Sequence, residues 1–88
     1  MSLRDAIESN DLYLMKQLIS TGADLNAIDW NGLTPLTYAA YRNRVDFVRI
    51  LLEAKADINK ADSDSYTPLH YAVSDGYTEC FKVMMMKL

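Results

Sequence analysis

His70 and Cys80 are the chain's only histidine and only cysteine, so they come first when chemistry is considered. His70 has no second metal ligand beside it, and no serine or cysteine lies at a spacing that suggests a nucleophile for it to activate. A single cysteine forms no disulfide within the chain, and Cys80 has no partners at metal-ligand spacing. Asp62 and Asp64 are spaced as in a calcium loop, but the remaining ligand pattern is absent. These residues predict a non-enzymatic chain with no cofactor and no metal ion.

The same groups have structural interpretations. Cys80 lies in an apolar segment, which favours a packed and unreactive thiol because reactivity requires nearby positive charge. Asp62 and Asp64 follow a polar stretch, which predicts a solvated acidic loop.

Composition narrows the class of partner. The 88 residues allow one domain or part of one, and half of them are hydrophobic. A net charge of −3 argues against nucleic acid, which requires a basic surface. No apolar run approaches the roughly 18–20 residues that span a membrane, and charges interrupt any signal-like segment at the N-terminus. A cytoplasmic location is the expectation.

An internal repeat organises the chain. The segment "LTPLTYAA" at 33–40 returns as "YTPLHYAV" at 66–73, a shift of 33 residues. Repeats of this length indicate stacked units that bury together what none can bury alone. The shift predicts three units: an N-terminal cap-like unit at 1–28, a full unit at 29–61 and an incomplete unit at 62–88.

The unit at 29–61 contains the signals of two helices, and the unit at 62–88 repeats them. Thr34 is a suitable N-cap and Pro35 a suitable first helical residue, because proline lacks only an N–H that would be unpaired there. The helix is expected to end near Asn43, and its counterpart near Gly76, since both residue types tolerate left-handed backbone. A second amphipathic helix follows, with Val45, Val48, Leu51 and Leu52 on one stripe.

The pattern resembles the ankyrin repeat family. The T-P-L-H-x-A signature is complete at 67–72 and recurs at 34–39 with threonine in place of histidine. The resemblance covers nearly the whole chain. It implies an all-α repeat fold, a single domain at 1–88 in which helix-turn-helix units stack as a solenoid with short β-hairpin loops. It also implies that His70 is structural, its ring bonding near the turn and the motif threonine.

Two departures from the family pattern carry expectations of their own. Unit one lacks the signature, and we expect Arg4, Glu8 and Asp11 to keep it solvated as a cap. Lys55 stands where the family commonly has glycine, and unit one has Gly22 at the matching position. We therefore expect the loop that contains Lys55 to be slightly strained.

The resemblance further implies a protein-binding module that uses the hairpin tips and the concave face of the inner helices. The expected partner epitope has an apolar or aromatic centre with a basic margin. The residues of this chain at the matching variable positions are Trp30, Asn31, Leu33, Tyr41, Arg42, Asp64, Tyr66 and Asp75.

Alternatives are open for the aromatic residues of this surface. Trp30 either faces a partner or folds back on Ile28 or on the following hairpin at 62–63. Tyr41 either faces a partner or leans on the next inner helix. Tyr38 and Tyr71 occupy equivalent places, and we assign both to packing between units.

The run "MMM" at 84–86 raises a separate question. Met84 and Met85 match Leu51 and Leu52 and are expected in the core, whereas Met86 matches an exposed position. An apolar end with no polar cap is unusual for a solenoid. Three explanations are open: the sequence is cut from a longer array, this end packs on another chain through Met86 and Leu88, or a small apolar end is tolerated.

Two further functions compete with the general binding module. One is an inhibitor or immunity-type protein that blocks a basic enzyme or toxin, motivated by small size and acidity. The other is a structural homo-oligomer, such as a homodimer built through the apolar C-terminal helix.

Overall fold

The computed structural model describes residues 2–74 and 78–87. Within these ranges the chain forms six helices and no β-strand, so the all-α prediction is confirmed. The helices are α1 (Leu3–Glu8), α2 (Leu12–Ser20), α3 (Pro35–Tyr41), α4 (Val45–Glu53), α5 (Pro68–Ser74) and α6 (Thr78–Lys87). Below, units one, two and three denote the helix pairs α1–α2, α3–α4 and α5–α6; the exact boundaries between them stay a prediction.

The first helices of units two and three begin as the T-P-L signature predicts. The Thr34 hydroxyl accepts a 3.1 Å hydrogen bond from the Thr37 N–H, and Pro35 is the first helical residue. At the matching place in unit three, the Thr67 N–H donates to His70 Nδ1 at 3.1 Å. The histidine ring is therefore engaged at the start of α5, which is the structural role expected for it.

Left-handed backbone occurs where the repeat register places it. Asn10 and Asn43 follow the first helices of units one and two with φ of 57° and 56°. Asparagine tolerates this conformation better than most residues, so the prediction for Asn43 is confirmed. Its counterpart Gly76 lies outside the described residues.

Two residues that are not glycine also adopt positive φ. Lys55 has φ of 78° where unit one has Gly22 with φ of 92°. Ser65 has φ of 70° where unit two has Gly32 with φ of 82°. The strain expected at Lys55 is thus present in the backbone, and Ser65 shares it.

Helices stack in two rows. In the inner row α3 packs between α1 and α5, and in the outer row α4 packs between α2 and α6. Ala39 and Ala40 are fully buried between the inner helices, where their small side chains allow close approach. The rest of the core is aliphatic, methionine and phenylalanine, including Ile7, Met15, Leu36, Phe47, Val48, Leu51 and Met84.

The loops between units are tight turns that contact one another. The Asp29 N–H donates to the Leu33 carbonyl at 2.8 Å, which closes the loop at 29–33. The Ser63 N–H of the next loop donates to the Gly32 carbonyl at 2.9 Å. The loops are therefore held in register by the backbone itself.

One core assignment was wrong. Met84 is buried as expected, but Met85 is about half exposed. Its counterpart Leu52 is buried in the region where α6 packs against α4, whereas no described element packs in the same way against α6. The repeat register that aligns Met85 with Leu52 is correct. The two side chains differ in exposure because, among the described residues, no neighbour covers Met85.

Candidate functional site

Trp30 lies at the tip of the loop at 29–33 and is 83% exposed. The turn beneath it is built by Asp29, whose Oδ1 accepts hydrogen bonds from the N–H groups of Asn31 and Leu33 at 2.8 and 2.9 Å. Gly32 supplies the positive φ that the turn requires. The ring is thus presented by a short, internally bonded loop rather than by a flexible one.

Arg4 holds the Trp30 ring from the side of unit one. Its guanidinium carbon lies 5.0 Å from the centre of the Trp30 ring and 4.2 Å from that of Tyr38. Its Nη1 donates to Asp29 Oδ2 at 2.6 Å. The Asn31 side-chain amide lies 3.2 and 3.3 Å from the terminal nitrogens of Arg4, close enough for its oxygen to accept. We call Arg4, Asp29, Trp30 and Tyr38 the Arg4 cluster.

The position of Arg4 corrects the expectation that it keeps unit one solvated. Its side chain is mostly buried, and a cation stacked on two aromatic rings gains both electrostatic and packing energy. The contact between Arg4 and Asp29 joins residues 25 apart in sequence, so no local sequence pattern predicts it. The available signal is that Asp29 recurs as Asp62 in the next unit, which marks the position as structural.

The charge of Asp29 is stabilised in this cluster. Partial burial alone would raise the pKa of its carboxyl, but the Leu33 N–H, the Arg4 guanidinium and the Asn31 N–H outweigh burial. The pKa of Asp29 therefore lies below its ordinary value. The cluster is therefore an Arg4–Asp29 ion pair whose guanidinium lies against the rings of Trp30 and Tyr38.

A second group of rings lies along units two and three. Tyr41 meets Tyr71 edge to face with centroids 5.8 Å apart, and Tyr66 contacts Tyr71 and His70 at 6.0 and 5.5 Å. Tyr41 and Tyr66 remain about half exposed. We call Tyr41, Tyr66, Tyr71 and His70 the tyrosine cluster. Tyr41 thus leans on α5 and also offers surface to solvent.

Asp62 organises this second group and corrects another expectation. It is buried rather than solvated, and the Tyr71 hydroxyl donates to its Oδ2. Its Oδ1 accepts from the N–H groups of Asp64 and Tyr66, each at 2.9 Å. Burial raises the pKa of the Tyr71 hydroxyl, and the neighbouring Asp62 carboxylate raises it further. Asp64 itself is exposed, as expected.

The remaining predicted surface residues divide between exposed and supporting positions. Asn31 and Arg42 are exposed, and Arg42 Nη1 donates to the Tyr38 hydroxyl at 2.8 Å. Leu33 is half-buried against the core. Met86 is exposed on the C-terminal helix. Asp75 and Leu88 lie outside the described residues.

The groups first considered for chemistry have structural partners. Cys80 is buried, and its Sγ lies 3.3 Å from Asn43 Oδ1. Burial raises the pKa of the Cys80 thiol, with the Glu79 charge adding to it. Within residues 2–74 and 78–87, no group of three or more His, Cys, Asp or Glu side chains is arranged so that it could hold a metal ion.

Membrane spanning was also considered for each helix that the structure describes. None of these helices is both long enough and apolar enough to cross a bilayer.

Comparison with known proteins places the chain. The model of the family described as ankyrin repeats (3 copies) matches residues 3–87. The chain is 34% identical over 50 residues to the ankyrin repeat protein FPV223 of Fowlpox virus (strain NVSL), covering 57% of this chain and 36% of that protein. It is 34% identical over 49 residues to Protein VAPYRIN-LIKE of Medicago truncatula, covering 56% of this chain and 11% of that protein.

These matches bear on fold and general role. The chain spans about a third of one curated relative and about a tenth of the other. Ankyrin repeat domains are typically non-catalytic and bind other proteins. With the family model covering nearly every residue, this chain belongs to the ankyrin repeat family.

Proposed function

We propose that the chain binds a protein partner through a surface centred on Trp30. One observation carries the proposal: the Trp30 ring is 83% exposed, yet one of its contacts is the anchored guanidinium of Arg4. A large exposed ring is usually explained by a partner or by local packing. Here the local contact positions the ring while leaving most of it exposed to solvent.

Preorganisation gives this arrangement energetic value. A partner that covers a fixed ring pays less side-chain entropy than one that must order a free ring. Buried tryptophan, tyrosine and arginine dominate binding hot spots, where truncation to alanine costs roughly 2–4 kcal/mol. Trp30 combines the residue type with the fixed geometry, so it is the expected centre of the contact.

The chemistry beside Trp30 suggests the shape of the partner epitope. Tyr41 and Tyr66 extend the exposed aromatic area toward unit three, which favours an apolar or aromatic counterpart. Asp64 lies exposed next to Tyr66 and favours a basic group there, while exposed Arg42 favours an acidic group near α3. Binding that falls steeply with salt would favour instead the inhibitor of a basic enzyme considered above.

The test compares two exposed aromatic residues on the same scaffold. Tyr13 on α2 is 72% exposed and belongs to neither cluster. Affinity capture is carried out with the wild-type chain, Trp30→Ala and Tyr13→Ala, each immobilised at equal density, and captured proteins are quantified by mass spectrometry. We expect Trp30→Ala to lose at least about tenfold of the specifically captured protein, which corresponds to roughly 1.4 kcal/mol, and Tyr13→Ala to retain it.

Folding must be measured alongside capture. Both variants should show wild-type helical circular dichroism, and Trp30→Ala should melt within a few degrees of wild type because the ring is exposed. Equal capture by wild type and Trp30→Ala, or unfolding of Trp30→Ala, would refute the proposal. Tyr41→Ala serves as a second probe, with partial loss expected.

A further inference from the structure

Asn31 is the only one of the chain's five asparagines that precedes a glycine. The side-chain amide of an asparagine can be attacked by the backbone nitrogen of the next residue, and glycine has no Cβ to hinder that attack. Asn31 is exposed at the tip of the loop at 29–33, so water reaches its amide. Residue type and exposure therefore mark the Asn31–Gly32 pair as a place where the chain can change chemically.

The reaction is deamidation, which needs only the chain and water. The Gly32 nitrogen loses its proton to solvent and forms a bond to Cγ of Asn31. The Cγ–Nδ2 bond breaks, and Nδ2 takes up a proton and leaves as ammonia, so that a five-membered succinimide ring remains. Water then opens one of the two ring carbonyls and gives aspartate or isoaspartate at position 31. In total, one amide and one water become one carboxylic acid and one ammonia.

The folded loop holds the attacking nitrogen away from its target. The Gly32 N–H donates to the Asp29 carbonyl at 2.9 Å, which closes a four-residue turn. Neither central residue of this turn, Trp30 or Asn31, has positive φ, which is the type I form with ψ of about 0° at its third residue. At that ψ the next backbone nitrogen lies beside the residue's own nitrogen and is turned away from its side chain. Attack on the amide therefore requires the loop to open.

The Arg4 cluster opposes this opening from both ends of Asn31. The Asn31 N–H donates to Asp29 Oδ1 at 2.8 Å, while Oδ2 of the same carboxylate accepts from Arg4 at 2.6 Å. The Asn31 side-chain amide lies 3.2 and 3.3 Å from the terminal nitrogens of Arg4. Backbone and side chain of the reacting residue are thus bound to one ion pair that is mostly buried. Rotation of Asn31 into the reactive conformation must break these contacts.

We propose that Asn31–Gly32 is a deamidation site whose rate is set by the Arg4 cluster. When a segment opens and closes faster than it reacts, the reaction rate follows the population of the open form. Deamidation is then slow in the folded chain and accelerates when Arg4 is lost. It does not require Trp30 to contact a partner, so it is independent of the binding function proposed above.

Either product alters the loop that carries Trp30. Aspartate at position 31 brings a second carboxylate to Arg4, where it competes with Asp29. Isoaspartate also adds one carbon to the backbone between Asp29 and Leu33, whose N–H and carbonyl are bonded at 2.8 Å in the native loop. The Trp30 surface therefore has a limited chemical lifetime in its native form.

Peptide mapping of the 88-residue chain measures the conversion directly. The wild-type chain is incubated at neutral pH for days to weeks, folded in buffer and unfolded in guanidinium chloride. Trypsin then releases residues 17–42, and fragmentation in the mass spectrometer distinguishes Asn31 from Asn26. Asn26 serves as an internal standard, because the residue after it has a Cβ that hinders attack. We expect conversion at Asn31 to be at least about tenfold slower in the folded chain than in the unfolded chain.

Two variants separate local opening from general loss of stability. Arg4→Ala should accelerate conversion of the folded chain about three- to tenfold. Gly22→Ala destabilises the chain through a loop outside the Arg4 cluster and should change the rate less than about twofold. Circular dichroism verifies that each variant is folded. Arg4→Lys replaces Arg4→Ala if the latter unfolds, because a lysine ammonium lacks the fork that binds Asp29 and Asn31 together.

The other outcomes contradict the proposal. Equal rates in folded and unfolded wild type, or no conversion in the folded chain over this time, would overturn it. Equal acceleration by Arg4→Ala and Gly22→Ala would overturn it by showing that global unfolding controls the reaction. Slower conversion in Arg4→Ala would also overturn it, since the guanidinium would then activate the amide instead of restraining it.

Discussion

Replacing Lys55 by glycine should stabilise the protein. Lys55 has φ of 78°, in the left-handed region, and occupies the place that Gly22 holds with φ of 92° in unit one. Its side chain is exposed, so the substitution removes little packing. The change therefore isolates the backbone conformation of one loop position.

The magnitude follows from two opposing contributions. Left-handed backbone costs a residue with a Cβ about 1–2 kcal/mol, and glycine removes that cost. Glycine also loses more conformational entropy on folding, which offsets about 0.5–1 kcal/mol of this gain. We expect the free energy of unfolding of Lys55→Gly to rise by about 0.5–1 kcal/mol, or roughly 2–8 °C in Tm for a chain of this size.

Urea unfolding followed by circular dichroism at 222 nm measures this change through the midpoint at constant slope. Lys55→Ala is the control, since it removes the charge and retains the Cβ; its stability should stay near wild type. Gly22→Ala is the reciprocal variant and should lose about 1 kcal/mol, because a Cβ there meets nothing within 4 Å and adds only backbone strain. Unchanged stability of Lys55→Gly, or an equal gain for Lys55→Ala, would refute the reasoning.

Three other perturbations test the contacts between units. Gly32→Ala should destabilise by about 2–3 kcal/mol, more than backbone strain alone, because a Cβ would lie 2.5 Å from Ser63 Oγ; adding Ser63→Gly should restore part of the loss in urea unfolding. Arg4→Ala should lower the free energy of unfolding by about 1–3 kcal/mol, and a double-mutant cycle with Trp30→Ala should show a coupling of about 0.5–1 kcal/mol; no coupling would contradict the stacking. Asp29 has a depressed pKa, so its stabilisation is present above pH 3.8 and is lost as pH falls through the lower folded value; the stability difference between wild type and Asp29→Asn should shrink below about pH 4, and a constant difference would contradict the assignment.

The sequence predicted most of the fold because its signals are local and repeated. The Thr-Pro pair at 34–35 predicts the start of α3, and Asn43 predicts its end. The shift of 33 residues then transfers each assignment to the next unit. Loop strain at Lys55 was predictable for the same reason, since the position is defined by comparison with Gly22.

The site was predicted less completely because its contacts are long-range. The exposed positions of Trp30 and Tyr66 follow from the register, but the stacking of Arg4 on Trp30 depends on a side chain from another unit. The burial of Asp62 depends likewise on the Tyr71 hydroxyl. Met85 shows the converse limit: the register gives its direction, while its exposure depends on what lies next to it.

Asp29 and Asp62 have a consequence for how such a chain can change. In both, Oδ1 accepts from two backbone N–H groups of its own loop. Oδ2 reaches a different unit or helix, meeting the guanidinium of Arg4 in one case and the hydroxyl of Tyr71 in the other. In each aspartate, one carboxylate oxygen thus stabilises the loop and the other binds a group outside the loop. Substitutions can exchange that outside group, a cation for a phenol, and so reshape the recognition surface without rebuilding the turn that displays it.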